Sequence, residues 1–161
     1  MRGAHAEVRE LSLLLAAEGM TEALGRRIGA DVRSGDVILL EGDLGAGKTT
    51  LVRGVHEGMG CLGRVRSPSF ATLIEYDGAT RLHHFDLFRY EHAGEAFLDE
   101  FGEWLHGDAV SILEWSERLE AGALDAALRV RLDFAGEARR ASLCGRPERW
   151  RVLGSESGAR S

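Results

Sequence analysis

The feature that most constrains this chain is a short apolar run opening onto a glycine-rich octapeptide. Val37-Ile38-Leu39-Leu40 is followed, one residue on, by Gly42-Asp43-Leu44-Gly45-Ala46-Gly47-Lys48-Thr49. The octapeptide fits G-x-x-x-x-G-K-[ST] at every fixed position. A four-residue apolar run between charged residues suits a strand buried on both faces, as in a parallel sheet. A helix is predicted to leave the loop from Lys48 to Met59, with Leu51, Val52, Val55 and Met59 on one side. Strand, loop and helix in this order bring backbone N–H groups and a helix N-terminus onto one anion. The loop therefore predicts nucleotide binding through phosphate, although it does not name the reaction.

Composition adds one sharp point. Lysine and arginine total 20 and Lys48 is the only lysine. Arginine offers a planar fork and lysine a compact point charge on a flexible stem, so position 48 calls for the ammonium group itself. The backbone from Asp43 through Leu44, Gly45, Ala46, Gly47 and Lys48 to Thr49 and Thr50 is expected to wrap the phosphates. Lys48 is expected to reach the β and γ phosphates, and the Thr49 hydroxyl to bind Mg²⁺.

The remaining chain reads as one domain over residues 1–153, with 154–161 as a small, polar, disordered tail. A strand is predicted over Val8–Leu15, with Leu11, Leu13 and Leu15 on one face, and a helix over Met20–Val32. Beyond the loop helix, residues 60–68 read as a loop. Ala71–Tyr76 and Arg81–Leu87 read as two strands joined at Asp77-Gly78, a strong hairpin signal. A helix is expected over Glu95–Leu105 and a buried strand over Ala109–Leu113. Residues 117–128 read as weak helix or loop. Leu128–Phe134 and Ala138–Cys144 form a second hairpin around Gly136-Glu137. The fold class is α/β: a P-loop NTPase-like mixed, mainly parallel β-sheet flanked by helices, with β-hairpins.

Charge and cysteine content narrow the function classes. The net charge of −6 argues against a large nucleic-acid footprint of the chain's own. Cys61 and Cys144 form no framework and neither has a CxxC partner. No apolar run approaches the ~20 residues of a membrane span. With no signal-peptide pattern at the start, a reducing cytoplasm and no membrane partner are expected. The arginine-rich segment after Cys144 reads as a solvated tail, with contact to a nucleic acid or a partner as the alternative.

An ATPase of this kind also needs a carboxylate near its metal. Asp86 ends Leu82-His83-His84-Phe85, and Glu114 ends Ala109–Leu113. Either could hold Mg²⁺, hold its water shell or orient the attacking water, and the residues alone do not divide these roles. His83 and His84 are adjacent on a strand and point to opposite faces, so they do not share one ion. Arg89 is a candidate phosphate contact or an ion-pair partner. Trp115 packs beside the nucleotide or in the core. Ser67-Pro68-Ser69-Phe70-Ala71-Thr72 stands where nucleotide switches sense the γ phosphate through a hydroxyl.

Four segments occur in order: Gly42–Thr50, Ser67-Pro68-Ser69-Phe70, His84-Phe85-Asp86-Leu87-Phe88-Arg89 and Glu114-Trp115. With these the chain resembles the TsaE family, the small ATPases of bacterial tRNA threonylcarbamoyladenosine biosynthesis, over roughly residues 8–145. The resemblance implies ATP hydrolysis with Mg²⁺, weak alone and stimulated by a partner complex. It implies TsaD and TsaB as partners, and tRNA reached indirectly through them. Carried over, Lys48 and the Gly45–Thr50 backbone bind phosphates, Thr49 and Glu114 look like metal-site residues, Asp86 looks like the Walker-B-type acid, and Trp115 sits by the nucleotide. Lys48, Asp86 and Glu114 are then the catalytic candidates, and Thr49, Glu114 and Asp86 the metal candidates. Two departures stand out: Ala71 replaces a family threonine, and Ser116 follows the Glu-Trp pair.

Two other classes compete. A small-molecule P-loop kinase also fits the chain length, but it needs a lid with clustered arginines, and none lies between Tyr90 and Trp115. A non-hydrolysing ATP-dependent interaction module would tolerate loss of Glu114. A guanine signature of the N/T-K-x-D type is ruled out, because the single lysine is already in the loop.

Overall fold

The computed structural model describes residues 7–68 and 71–154. Ser69 and Phe70, part of the expected sensing loop, lie outside the described residues, as do residues 155–161 of the expected tail. Gly154, also assigned to that tail, instead closes a short helix.

Among the described residues seven strands form one sheet: β1 (Arg9–Leu15), β2 (Val37–Gly42), β3 (Leu73–Tyr76), β4 (Leu82–Asp86), β5 (Val110–Glu114), β6 (Leu128–Ala135) and β7 (Ala138–Gly145). Their order across the sheet is β1-β7-β6-β2-β5-β4-β3. The central four, β6, β2, β5 and β4, run parallel. The flanks are antiparallel: β3 hairpins onto β4, β7 onto β6, and β1 pairs with β7. The mixed, mainly parallel sheet with hairpins is thus the architecture the sequence predicts.

Helices α1 (Glu18–Asp31) and α2 (Lys48–Gly58) cover one face, joined by the short α4 (Arg151–Gly154). The even positions of β2 and β5, Ile38, Leu40, Val110 and Ile112, point into this layer with Leu24, Ile28, Leu51, Val52 and Val55. Helix α3 (Gly94–Phe101) covers the other face at β4 and β5, where Val37, Leu39, Phe85, Leu113 and Phe97 pack together. It is shorter than the predicted Glu95–Leu105, because at Gly102 the chain tightens into a 3-10 turn ending at Trp104. Residues 116–118 form another 3-10 turn and the chain then loops to β6, so loop rather than helix describes 117–128.

Helices α1 and α2 approach each other backbone to backbone. Gly25 and Gly29 face Gly54 and Gly58, and a Cβ added at Gly54 would stand 2.1 Å from the Glu22 carbonyl oxygen. At Gly25 it would stand 2.3 Å from the Leu51 carbonyl oxygen. Two glycines four apart on each helix form a flat stripe that lets the backbones touch. Arg26 of α1 bonds to Glu22 and, across the gap, to Glu57 of α2.

The arginine-rich segment after Cys144 is docked, not solvated, where it is described. Arg149 pairs with Asp36 and Arg151 with Asp31. Trp150 between them is fully buried and donates its indole N–H to the Ala127 carbonyl at 3.0 Å. A tryptophan flanked by charges hides its anchoring role from a reading by charge alone.

Candidate functional site

The site lies at the carboxyl ends of β2, β5 and β4, where a parallel sheet opens beside its central strand. Gly42, Gly45 and Gly47 all take positive φ, at 148°, 79° and 105°. At Gly42 the requirement is also steric, since a Cβ would lie 2.6 Å from the Leu132 carbonyl oxygen of β6. Gly47 is the N-cap of α2, whose first residues are Lys48, Thr49 and Thr50. The helix therefore begins on the residues whose side chains and N–H groups the phosphates need.

A cavity of about 530 Å³ stands over this loop. Gly45, Gly47, Lys48, Thr49, Thr50 and Leu44 line one side, and Ser67, Pro68, Ala71 and Thr72 another. Asp86, Phe88, Arg89, Glu114 and Trp115 close it. Most of the candidate residues thus meet at one place. Asp43 and Ala46 contribute differently: the Asp43 carbonyl accepts from the Ala46 N–H at 3.0 Å, and Ala46 is buried in the α1–α2 core. Thr50 turns its hydroxyl to Glu18 of α1 at 3.2 Å.

Lys48 is buried and folds back onto its own loop, donating to the Gly42 carbonyl and, at 3.0 Å, to the Asp43 carbonyl. Its Nζ also lies 4.1 Å from the centre of the Trp115 ring, a cation–π contact. Burial pushes the Lys48 pKa down, and the carboxylates of Glu114, Glu117, Asp86 and Asp43 pull it partly back. Trp115 reaches this place through a backbone in the left-handed region, at φ 58°. A bulky residue rarely adopts that region, and such strain gathers at functional sites. Trp115 thereby leaves β5 sideways, between Lys48 and Phe88, whose ring lies 5.0 Å away.

The two carboxylates are neighbours by register. Asp86 pairs with Glu114 across the parallel β4–β5 ladder. Their surroundings differ. Glu114 is buried, and its Oε1 lies 3.5 Å from the Thr49 hydroxyl and 2.8 Å from His84 Nε2. Asp86 accepts the Phe88 N–H on Oδ1 at 2.8 Å. Burial raises the Asp86 pKa, against the lowering effect of that N–H. The hydroxyl and the two carboxylates form an all-oxygen donor set, which suits Mg²⁺ better than a softer ion.

The two histidines separate as the strand period requires. His83 points to the α3 face, near Glu75 and Trp104. His84 points to the α1–α2 face and touches Glu114. The sequence places the two histidines on opposite faces but does not state this contact. His84 lies on one predicted strand and Glu114 ends another, and only the register between the two strands brings them together. A further group emerges on the β6–β7 hairpin, where Arg139 stacks on Phe134 at 4.3 Å and donates to the Gly45 carbonyl at 3.3 Å.

The chain is similar to known proteins. The model of a family described as threonylcarbamoyl adenosine biosynthesis protein TsaE matches residues 15–142. A relative from Bacillus subtilis named tRNA threonylcarbamoyladenosine biosynthesis protein TsaE is 39% identical over 122 residues, which are 74% of this chain and 75% of that one. A relative of the same name from Streptomyces coelicolor is 37% identical over 136 residues, 79% of this chain and 91% of its own. The crystal structure of Bacillus subtilis YdiB superposes with a TM-score of 0.70 at 30% identity, covering 94% of this chain and 95% of that one.

Proposed function

Because the chain belongs to the TsaE family, we propose that it serves tRNA threonylcarbamoyladenosine biosynthesis as a Mg²⁺-dependent ATPase. The observation that carries the ATPase reading is the meeting of Thr49 with Glu114, 3.5 Å apart, at the mouth of a complete phosphate loop. A structural P-loop relic has no need of a buried carboxylate at that place, since burying one is costly without partners.

Thr49 and Glu114 are the residues to hold Mg²⁺, with Asp86 on its water shell; the ion supplies neutralisation of charge on the β and γ phosphate oxygens. The glycine loop offers its N–H groups to the phosphates, and Lys48 exchanges its carbonyl partners for phosphate oxygens. Asp86, with Oδ1 engaged by Phe88, keeps Oδ2 for a water. That water attacks the γ phosphorus in line; its oxygen forms the new P–O bond as the bond to the β–γ bridging oxygen breaks. Asp86 takes up the proton. Among the described residues no helix is long and apolar enough to cross a membrane. The reading assigns the chain to the cytoplasm, with TsaD and TsaB as its partners and tRNA met through them.

The test is Mg²⁺-dependent ATP hydrolysis by the purified protein, alone and after addition of the TsaB–TsaD complex. Slow turnover alone and a marked rise on addition are expected. ATP binding with no rise overturns the coupled-ATPase reading, and phosphoryl transfer to a metabolite instead of water establishes a kinase.

A further inference from the structure

We propose that His84 is a positioning residue for the divalent cation: its imidazole N–H fixes Glu114 in the rotamer that presents a carboxylate oxygen beside Thr49. The inference rests on the ATPase reading above.

His84 stands on β4 opposite Ile112, and Glu114 stands two residues further along on β5, opposite Asp86. Both side chains project to the α1–α2 face, as diagonal neighbours. Nε2 lies 2.8 Å from Oε1, His84 is fully buried and Glu114 is 3% exposed. In that dry setting a carboxylate without a donor would be strongly disfavoured, so the bond is not an optional surface contact. The same Oε1 lies 3.5 Å from the Thr49 hydroxyl. Imidazole and hydroxyl therefore bracket one oxygen of Glu114, and Oε2, which makes neither of these bonds, is the oxygen that would face a cation.

Ring packing, and not a second hydrogen bond, flanks the imidazole, whose Nδ1 is buried with no hydrogen-bond partner among the described residues. The Tyr76 ring lies nearly parallel to it, with centroids 6.5 Å apart and planes at 29°. Tyr76 is pinned by its hydroxyl, which accepts the Arg66 N–H at 3.0 Å and donates to the Arg66 carbonyl at 3.3 Å. His56 of α2 meets the Tyr76 ring edge-on at 5.0 Å. A buried column thus runs from Glu114 through His84 and Tyr76 to the segment just before Ser67 and Pro68, which line the cavity. Partners that orient a metal ligand commonly matter nearly as much as the ligand.

The experiment uses the full chain saturated with a non-hydrolysable ATP analogue, with Mn²⁺ binding followed by electron paramagnetic resonance. A fluorescent ATP analogue measured in EDTA reports the phosphate loop without metal. His84→Leu and His84→Asn are expected to weaken Mn²⁺ binding by ~10–100-fold. Both are expected to keep metal-free analogue binding within about twofold of wild type, because Lys48 and the loop are untouched. His84→Gln, whose amide nitrogen reaches the Nε2 position, is expected to restore most of the Mn²⁺ affinity. In turnover, half-saturating Mg²⁺ should rise far more than the rate at saturating Mg²⁺ falls. If the leucine variant fails to fold, the asparagine–glutamine contrast carries the test, since both side chains are polar and only one reaches. Unchanged Mn²⁺ affinity in the asparagine and leucine variants, or equal loss in the glutamine variant, overturns the positioning role. Glu114→Gln separates the two readings. If Glu114→Gln loses Mn²⁺ while the His84 variants keep it, only the positioning role falls. If Glu114→Gln keeps Mn²⁺, the metal-site reading falls and the positioning role with it.

Discussion

Replacing Gly54 by alanine tests the α1–α2 contact with a sign that two physical arguments dispute. Alanine in a helix interior is intrinsically better than glycine by roughly 0.5–1 kcal/mol, so propensity alone predicts a more stable protein. The contact predicts the reverse. The added Cβ would lie 2.1 Å from the Glu22 carbonyl oxygen, 2.8 Å from Gly25 Cα and 3.0 Å from the Arg26 nitrogen. All three are backbone atoms, so no side chain can swing aside, and the helices must separate by about an ångström to restore an ordinary carbon–oxygen contact. Overpacking of this kind costs typically 1–3 kcal/mol. At the middle of both ranges the net loss is about 1.3 kcal/mol, or roughly 2–5 °C of melting temperature for a domain of this size. Gly19→Ala is the control, because Gly19 is in the same helix pair and nothing lies within 4 Å of an added Cβ. It should hold or raise the melting temperature. Both variants are compared by thermal circular dichroism and urea unfolding. A Gly54→Ala protein as stable as wild type, or a shift of the same sign in both variants, refutes the backbone-contact argument. The effect should also reach the site: Lys48 lies six residues, roughly 9 Å along the axis, from Gly54 on the same helix. Weaker ATP binding by Gly54→Ala, with none by Gly19→Ala, is expected in a calorimetric titration.

Three further predictions follow from the site. Lys48→Ala should weaken ATP binding by about 10–100-fold, the equivalent of a charged hydrogen bond in a buried loop, as read by isothermal titration calorimetry. Glu114→Gln should retain metal-free nucleotide binding and slow hydrolysis by on the order of 100-fold or more, as read in single-turnover assays. Asp86→Asn should raise the melting temperature of the nucleotide-free protein in EDTA at neutral pH while abolishing turnover. Burial holds the Asp86 pKa above the usual carboxylate value, so the charged form is the one that the fold disfavours. The protonated form is favoured relative to the unfolded chain, a contribution present in acid and lost as pH rises through the raised pKa. The advantage of the Asp86→Asn variant should therefore be full at neutral pH and vanish below the ordinary carboxylate range. An advantage that persists unchanged into acid counts against this assignment.

Much of the site was legible because its chemistry is written in contiguous residues. The loop needs glycines at fixed positions, an ammonium group and a hydroxyl, and Gly42–Thr49 states all of them in sequence. The strand before it was legible from an unbroken apolar run, and β5 beside it from an apolar run broken only by Ser111. What escaped is long-range. The meeting of His84 with Glu114 depends on the β4–β5 register, which no local pattern encodes. The stripe of Gly25 and Gly29 against Gly54 and Gly58 reads locally as four poor helix formers, and gains meaning only once two helices face each other. Trp115 at positive φ is a strained choice imposed by the site, against its own backbone preference. Strand β3 starts at Leu73 instead of Ala71 because the Ala71 N–H is taken by the Pro68 carbonyl, and Ala71 and Thr72 line the cavity. Arg149 and Arg151 looked like tail charges because their partners, Asp36 and Asp31, stand more than 110 residues earlier.

The pairing of β1 with β7 sets an order of events during synthesis. β1 has one neighbour in the sheet, and that neighbour is the last strand made: Arg9 lies opposite Gly145. At ~5–20 residues per second, a ribosome needs on the order of ten seconds to supply β7 after β1 has emerged. Through that interval β1 waits with both hydrogen-bonding edges open and Leu11, Leu13 and Leu15 uncovered by the sheet. The phosphate loop, its strand and the α1–α2 pair are all complete within the first 58 residues, so the nascent chain holds its nucleotide-gripping elements long before the sheet can close around them. An unpaired strand of this kind is a target for other strands. A holdase engaging the first fifteen residues would thus protect the chain at the stage when it is most exposed to aggregation, and would be displaced by the chain's own final hairpin.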